Sequence, residues 1–285
     1  MTRTVGAALS AAAATLAAAG IPDPRFEARL LAAHALGVSA GTLIGHDDRP
    51  VDPAAALRLD AMVARRAARE PVAYILGRRE FWSLDLAVTP ATLIPRPDSE
   101  TLVDAALASV ADRAAPCRVL DLGTGSGCLL LAVLSELPGA TGLGIDIDAG
   151  AVAVARDNAA RLGLAARASF RTGAWAAGVD ESFDMVLSNP PYIARAAIDA
   201  LEPDVALYEP RRALDGGADG LDAYRAIVPD LPRLVRAGGI AVLEIGADQA
   251  AAVAALVDAA GLGPADVRRD LAGRPRCIIS ARVKG

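Results

Sequence analysis

The residues best suited to chemistry are Ser188-Asn189-Pro190-Pro191-Tyr192, which follow an apolar run at 183–187. Two adjacent prolines cannot continue a strand interior, so the chain must leave the sheet at this point. What remains is a side-chain amide, a proline carbonyl and an aromatic ring in close sequence. A planar nitrogen with two N–H donors, such as an amide or an aromatic amine, has a delocalised lone pair and is a poor nucleophile. The Asn189 side-chain oxygen can accept one of its hydrogens and the Pro190 carbonyl the other, which orients the nitrogen for attack. The same two acceptors stabilise the positive charge that grows on it. Pro191 shapes the turn, and Tyr192 offers a face to a flat group. A proline-rich turn with a structural tyrosine would look the same in isolation, so the decision rests on what precedes it.

Upstream stands Val119-Leu120-Asp121-Leu122-Gly123-Thr124-Gly125-Ser126-Gly127. An apolar strand runs into three glycines and then a helix, a turn that clears side chains from a ligand and offers backbone N–H groups at a helix start. The dinucleotide fingerprint would place its third glycine where Cys128 stands. The spacing here resembles class I methyltransferases instead, whose ligand, S-adenosyl-L-methionine, carries an ammonium that suits a carboxylate such as Asp121. Asp146 ends the next strand, where an acid can accept hydrogen bonds from both ribose hydroxyls.

These residues need a sheet to hold them, and the pattern supplies one. Strands are expected at 118–122, 141–146, 168–172, 183–188, 239–245 and 276–282, with helices at 127–137, 149–162 and 249–260. The alternation predicts an α/β fold with a mostly parallel, Rossmann-like sheet covered on both faces. Residues 1–76 read as an all-α domain, with Asp23-Pro24 and Asp52-Pro53 opening helices. Arg65, Arg66 and Arg69 read as the solvated end of one of these helices. Residues 80–88 alternate as a single strand, 77–97 form the joint between domains, and Asp98 or Ser99 is placed to cap the helix that opens the catalytic domain, 98–285.

Composition narrows the classes. The chain has 285 residues, 53% of them hydrophobic, enough for a sizeable core. A net charge of -5 argues against broad nucleic-acid affinity, so no stable nucleic-acid partner is expected. Three scattered cysteines without metal-ligand spacing point to no metal and to a reducing cytoplasm. The alanine-rich stretch after Arg3 reads as a helix rather than a leader, and no membrane association is expected.

Taken together, the chain resembles the HemK/PrmC-type peptide chain release factor glutamine methyltransferases over nearly its whole length. The resemblance is carried by the glycine turn and the tetrad, by Glu70-Pro71-Val72-Ala73-Tyr74-Ile75-Leu76-Gly77, by Leu93-Ile94-Pro95-Arg96-Pro97-Asp98, by Glu209-Pro210-Arg211, by Asp219-Gly220-Leu221, by Leu243-Glu244-Ile245-Gly246 and by Asp270-Leu271-Ala272-Gly273-Arg274. It implies a class I methyltransferase domain, a helical substrate-recognition domain and a small β-hairpin linker. It implies methyl transfer from S-adenosyl-L-methionine to the glutamine of the Gly-Gly-Gln tip of release factors, with S-adenosyl-L-homocysteine as product. Gly123, Thr124, Gly125, Ser126, Gly127, Asp146, Trp175 and Asn189 would contact the cofactor, and Asn189, Pro190, Pro191 and Tyr192 would hold the glutamine. Related sequences carry an acid where this chain has Ala174, so an adenine contact from that position is absent. Arg96 either pairs with a carboxylate, of the cofactor or of its own linker, or is a surface arginine that fixes the hinge. Glu209 and Arg211 either shape the substrate pocket or pair with each other. Ribosomal-protein glutamine methylation and nucleic-acid amino methylation use related sites and remain alternatives at this stage.

Overall fold

In the computed structural model, which describes residues 3–283, the chain divides into two units: 3–77 with Glu202–Tyr208, and 78–201 with 209–283. The hairpin falls within the second unit, and a segment from after the tetrad groups with the first.

The first unit is built from α1 (Val5–Ala18), α2 (Pro24–Leu36), α3 (Pro53–Ala67) and α4 (Val72–Leu76). Sequence sets these boundaries locally. Thr4 caps α1, and Asp52 accepts from the Ala55 N–H at 3.0 Å to cap α3, whose first residue is proline. Gly37 ends α2 in the left-handed region at φ 67°. Val5, Ala8, Ala12 and Leu16 form one buried stripe of α1 against Leu31 and Leu59. The basic cluster departs from the solvated helix end expected of it. The Arg66 side chain is only 3% exposed and pairs with Glu27 and Asp204, while Arg69 pairs with Asp204 and Arg65 with Glu70. Asp204 comes from the Glu202–Tyr208 segment, and the Tyr208 hydroxyl donates to the Ala68 carbonyl at 2.6 Å. A partner so distant in sequence leaves no trace in the local pattern.

The second unit opens with the two-stranded hairpin that the resemblance implies, β1 (Arg78–Phe81) and β2 (Leu84–Ala87), where the alternation alone gave a single strand at 80–88. The turn residues Trp82 and Ser83 both have positive φ, 52° and 58°, which matches the mirror-image turn that hairpins favour but uses residues that rarely adopt it. Two anchors hold it. The Trp82 N–H donates to Glu100, and its indole N–H donates to Glu136.

A seven-stranded sheet follows: β3 (Cys117–Leu122), β4 (Ala140–Asp146), β5 (Ala168–Thr172), β6 (Phe183–Ser188), β7 (Val235–Glu244), β8 (Ala265–Arg269) and β9 (Pro275–Ala281). Their order is β5-β4-β3-β6-β7-β9-β8, parallel from β5 to β7, with β9 antiparallel to β7 and β8 antiparallel to β9. Helices α5 (Glu100–Ala108), α6 (Cys128–Glu136) and α7 (Ala149–Arg161) contribute to one core with Leu130, Val133 and Val152. Tyr224, Leu231 and Val253 pack into a second core with Leu120 and Val186. The chain runs from β3 outward to β5 and then returns to β6 on the other side of β3. The strand order therefore reverses between β3 and β6, and the crevice beyond their carboxyl ends is where such sheets bind ligands.

Candidate functional site

Register fixes what meets at that crevice. Leu122, the last residue of β3, pairs with Ser188, the last of β6, and the Ser188 hydroxyl donates to the Leu122 carbonyl at 2.7 Å. The glycine turn thus leaves β3 directly beside the point where the tetrad leaves β6.

The turn is held from β4. The Gly123 and Thr124 N–H groups both donate to the Ile145 carbonyl, and the Gly125 N–H donates to the Asp146 carboxylate at 2.9 Å. The other Asp146 oxygen accepts from the Asp148 N–H at 2.9 Å. All three turn glycines have positive φ. Gly127 also needs its missing side chain for packing, since a Cβ there would meet Leu131, Ala155 and Phe170 at 3.2 to 3.4 Å. Asn158, fully buried on α7, braces the turn from behind. Its Nδ2 donates to the Ser126 carbonyl at 2.9 Å and to the Ala87 carbonyl at 3.0 Å, while its Oδ1 accepts from the Ala87 N–H.

A cavity of about 390 Å³ opens over this arrangement. Of the residues singled out by sequence, Gly123, Thr124, Gly125, Ser126, Asp146, Trp175, Asn189 and Pro191 line it, together with Ala174 and Arg96. Trp175 sits at φ 47°, and its ring lies against Gly123. Asp121, Gly127, Pro190 and Tyr192 are not in the wall. Asp121 is buried beneath the turn, where its Oδ2 accepts from the Thr124 hydroxyl at 2.6 Å. Burial pushes its carboxyl up to about 7, against the lowering effect of Thr124. From there it supports the turn through the Thr124 hydroxyl.

The tetrad is fixed from several directions. Asn189 Nδ2 donates to Ser99 Oγ at 3.2 Å, which directs Oδ1 to the opposite end of the amide. The Tyr192 hydroxyl donates to Glu244 at 3.3 Å, and its carbonyl accepts from Gln249 at 2.9 Å. Glycines at 216 and 220 let the following loop close in, because a Cβ at Gly220 would fall 2.3 Å from the Tyr192 carbonyl oxygen and one at Gly216 would fall 2.8 Å from that of Pro191.

Two sequence expectations change here. Neither Asp98 nor Ser99 caps the helix after the linker: Ser99 donates to Glu244 at 2.6 Å, and Asp98 pairs with Arg276 at 2.9 Å. Glu209 and Arg211 do not pair with each other. Glu209, whose side chain is 1% exposed, takes Arg96 and the Ile94 N–H, and Arg211 takes Asp199. Ser99, Glu244 and Gln249 were not singled out as site residues. The available signal for Glu244 was an acid closing the apolar run Ile240 to Leu243. Among the described residues no group of three or more His, Cys, Asp or Glu is placed to hold a metal, and no helix is long and apolar enough to cross a membrane.

Residues 7–77 match the PrmC N-terminal domain and residues 99–207 the methyltransferase small domain. The chain is 52% identical to the release factor glutamine methyltransferase of Rhodospirillum rubrum, over 98% of this chain and 85% of that one. It is 49% identical to the protein of that name from Cereibacter sphaeroides, over 97% of each. Among solved structures, the hMettl16 catalytic domain, crystallised with a MAT2A 3′UTR hairpin, superposes with a TM-score of 0.59 at 18% identity, over 79% of this chain and 82% of that one, which shows a shared fold.

Proposed function

The chain belongs to the release factor glutamine methyltransferase family, and from that premise we propose that it transfers a methyl group from S-adenosyl-L-methionine to the side-chain amide nitrogen of the Gly-Gly-Gln glutamine of peptide chain release factors. The product of the cofactor is S-adenosyl-L-homocysteine. The single observation that carries the reading is that Asp146, Trp175 and Asn189 share one cavity wall.

The cavity's donor set suits this cofactor. Ile145, Ile147 and Trp175 offer apolar surface to a flat base, and Asp146 stands at the end of β4 where ribose hydroxyls can donate to it. When bound, the cofactor supplies a methyl made electrophilic by a sulfonium. Asn189 Oδ1 accepts one hydrogen of the glutamine amide, and the Pro190 carbonyl accepts the other. This holds the nitrogen lone pair toward the cavity and stabilises the charge that develops on it. Once alkylated, the nitrogen releases a proton readily, so no dedicated base is required. Tyr192 offers its ring to the planar amide. The helical unit, which matches the PrmC N-terminal domain, is the module we assign to gripping the factor.

The test is labelled-methyl transfer to a purified release factor, to the same factor with its Gly-Gly-Gln glutamine replaced, and to total RNA and DNA. Label on the intact factor alone is the expected result. Label on nucleic acid with the factor untouched overturns the substrate assignment.

A further inference from the structure

Glu244 ends β7 with its side chain 1% exposed, yet no step above uses it. It accepts from two hydroxyls, Ser99 Oγ at 2.6 Å and Tyr192 Oη at 3.3 Å, and Ser99 Oγ in turn accepts from Asn189 Nδ2 at 3.2 Å. A carboxylate is an acceptor only, so it commits the Ser99 hydroxyl hydrogen to itself. The Ser99 oxygen then faces Asn189 with lone pairs alone, and only the NH₂ end of the amide fits against it. We propose that Glu244, acting through Ser99, is the positioning residue that decides which end of the Asn189 amide faces the cavity. What the amide does in methyl transfer rests on the reading above; the orientation itself does not.

The consequence is specific. A proton on Glu244 makes it a donor, and the Ser99 hydrogen is released to turn toward Asn189. The amide then gains by reversing, which aims an NH₂ group at the donor N–H of the substrate. Such a reversal removes the acceptor on which orientation depends.

The surroundings place this proton within an accessible range. Ser99 and Asp98 face Glu244 from the linker before α5, Tyr192 from the tetrad, and Arg276 from β9. Burial pushes the Glu244 carboxyl up to about 7, opposed by Ser99, Arg276 and Tyr192, while Asp98 raises it further. Cys128, Cys277 and Tyr224 also feel its charge and are themselves held well above their usual values, so they stay neutral.

Two measurements on the full-length protein test the idea. The first follows the Asn189 side-chain NH₂ resonances by NMR in ligand-free protein from pH 5.5 to 8.5, identified by their loss in Asn189→Asp. They are expected to move through an inflection near 7 that disappears in Glu244→Gln and in Ser99→Ala. Resonances that hold still across this range in the wild type overturn the proposal. The second compares steady-state transfer to the factor. Ser99→Ala is expected to lower kcat by about tenfold or more with KM little changed, as loss of an interaction made in the transition state does. Ser99→Thr, which keeps the hydroxyl, is expected to recover most of it, and melting curves check that both variants fold. A Ser99→Ala enzyme with wild-type kcat and pH profile overturns the proposal. If the wild type methylates no factor while Asn189 still titrates through Glu244, the substrate assignment fails and the positioning role stands.

Discussion

Ser188 and Leu122 are joined across neighbouring parallel strands by a hydroxyl-to-carbonyl hydrogen bond of 2.7 Å, with both residues fully buried. This contact locks the end of β6 to the end of β3, and so locks the tetrad to the glycine turn. Ser188→Ala removes the donor and leaves a buried carbonyl lone pair without it. The expected loss is about 1–3 kcal/mol of stability, read as a lower melting temperature. Transfer activity is expected to fall further than stability alone explains, because misplacement of a reacting group by a fraction of an ångström is felt in the rate. Activity unchanged at a temperature where the variant is folded would show that the strands hold register without this bond.

Asn158 performs the equivalent task behind the turn. It satisfies both backbone groups of Ala87 and the Ser126 carbonyl from a fully buried site. Asn158→Leu keeps volume and strands three backbone groups. The expected destabilisation is about 2–5 kcal/mol, accompanied by weaker cofactor binding in calorimetry, since the turn loses its brace. Cofactor affinity within twofold of wild type would separate the hairpin anchor from the turn.

Asp146 holds the Gly125 and Asp148 N–H groups and lines the cavity at the same time. Asp146→Ala is therefore expected to weaken S-adenosyl-L-methionine binding by at least about tenfold, a loss of roughly 1.4 kcal/mol or more. Asp146→Asn retains an acceptor but places an NH₂ against one of the two backbone donors, and is expected to fall in between. Equal affinity in all three proteins would remove Asp146 from the site.

Asp121 makes stability depend on pH in a direction opposite to most carboxylates. Burial raises its folded value to about 7, above its ordinary value of 3.8. The unfolded chain thus releases this proton first as pH rises. The stabilising contribution of the protonated group is complete below about pH 4 and is lost as pH climbs to about 7. Asp121→Asn mimics the protonated form. Its stability relative to wild type is expected to improve steadily between pH 4 and 7 and then level off, as chemical denaturation at several pH values would report. A difference that is constant with pH would mean that Asp121 is ionised in the folded protein throughout.

Local signals made much of this site legible before the fold was known. The turn from Gly123 to Gly127, Asp146 and the tetrad are each contained within a few residues and sit at strand ends, where chemistry and punctuation coincide. The hairpin was implied by the resemblance but not by the local pattern, because its turn uses Trp82 and Ser83 at positive φ without a glycine to mark it. β8 was missed since Ala265 to Arg269 lies at the sheet edge and buries none of its residues fully. The contact of Ser99 with Glu244 spans 145 positions, and that of Arg66 with Asp204 spans nearly half the chain. Partners of that kind are chosen by the fold and leave each residue looking like an ordinary cap or helix-end charge.

Arg66 supplies the sharpest contrast between a pattern and its tertiary setting. Arg65 and Arg66 are neighbours in the last turn of α3, and both would be read as cations favoured by the helix terminus. The Arg65 side chain is 48% exposed and meets Glu70, whereas that of Arg66 is 3% exposed between Glu27 and Asp204. An exposed ion pair contributes about 0–1 kcal/mol, so Arg65→Ala is expected to leave the melting temperature nearly unchanged. Removing Arg66 strands Glu27 in a half-buried site and leaves Asp204 with Arg69 alone, and Arg66→Ala is expected to destabilise the helical unit by about 3–5 kcal/mol. Because Asp204 belongs to the Glu202–Tyr208 segment, Arg66→Ala should also release that segment, seen as faster amide hydrogen exchange across 202–208 than in Arg65→Ala. Equal exchange in the two variants would mean that the Tyr208 hydrogen bond to Ala68 and the Arg69 pair hold the segment without Arg66.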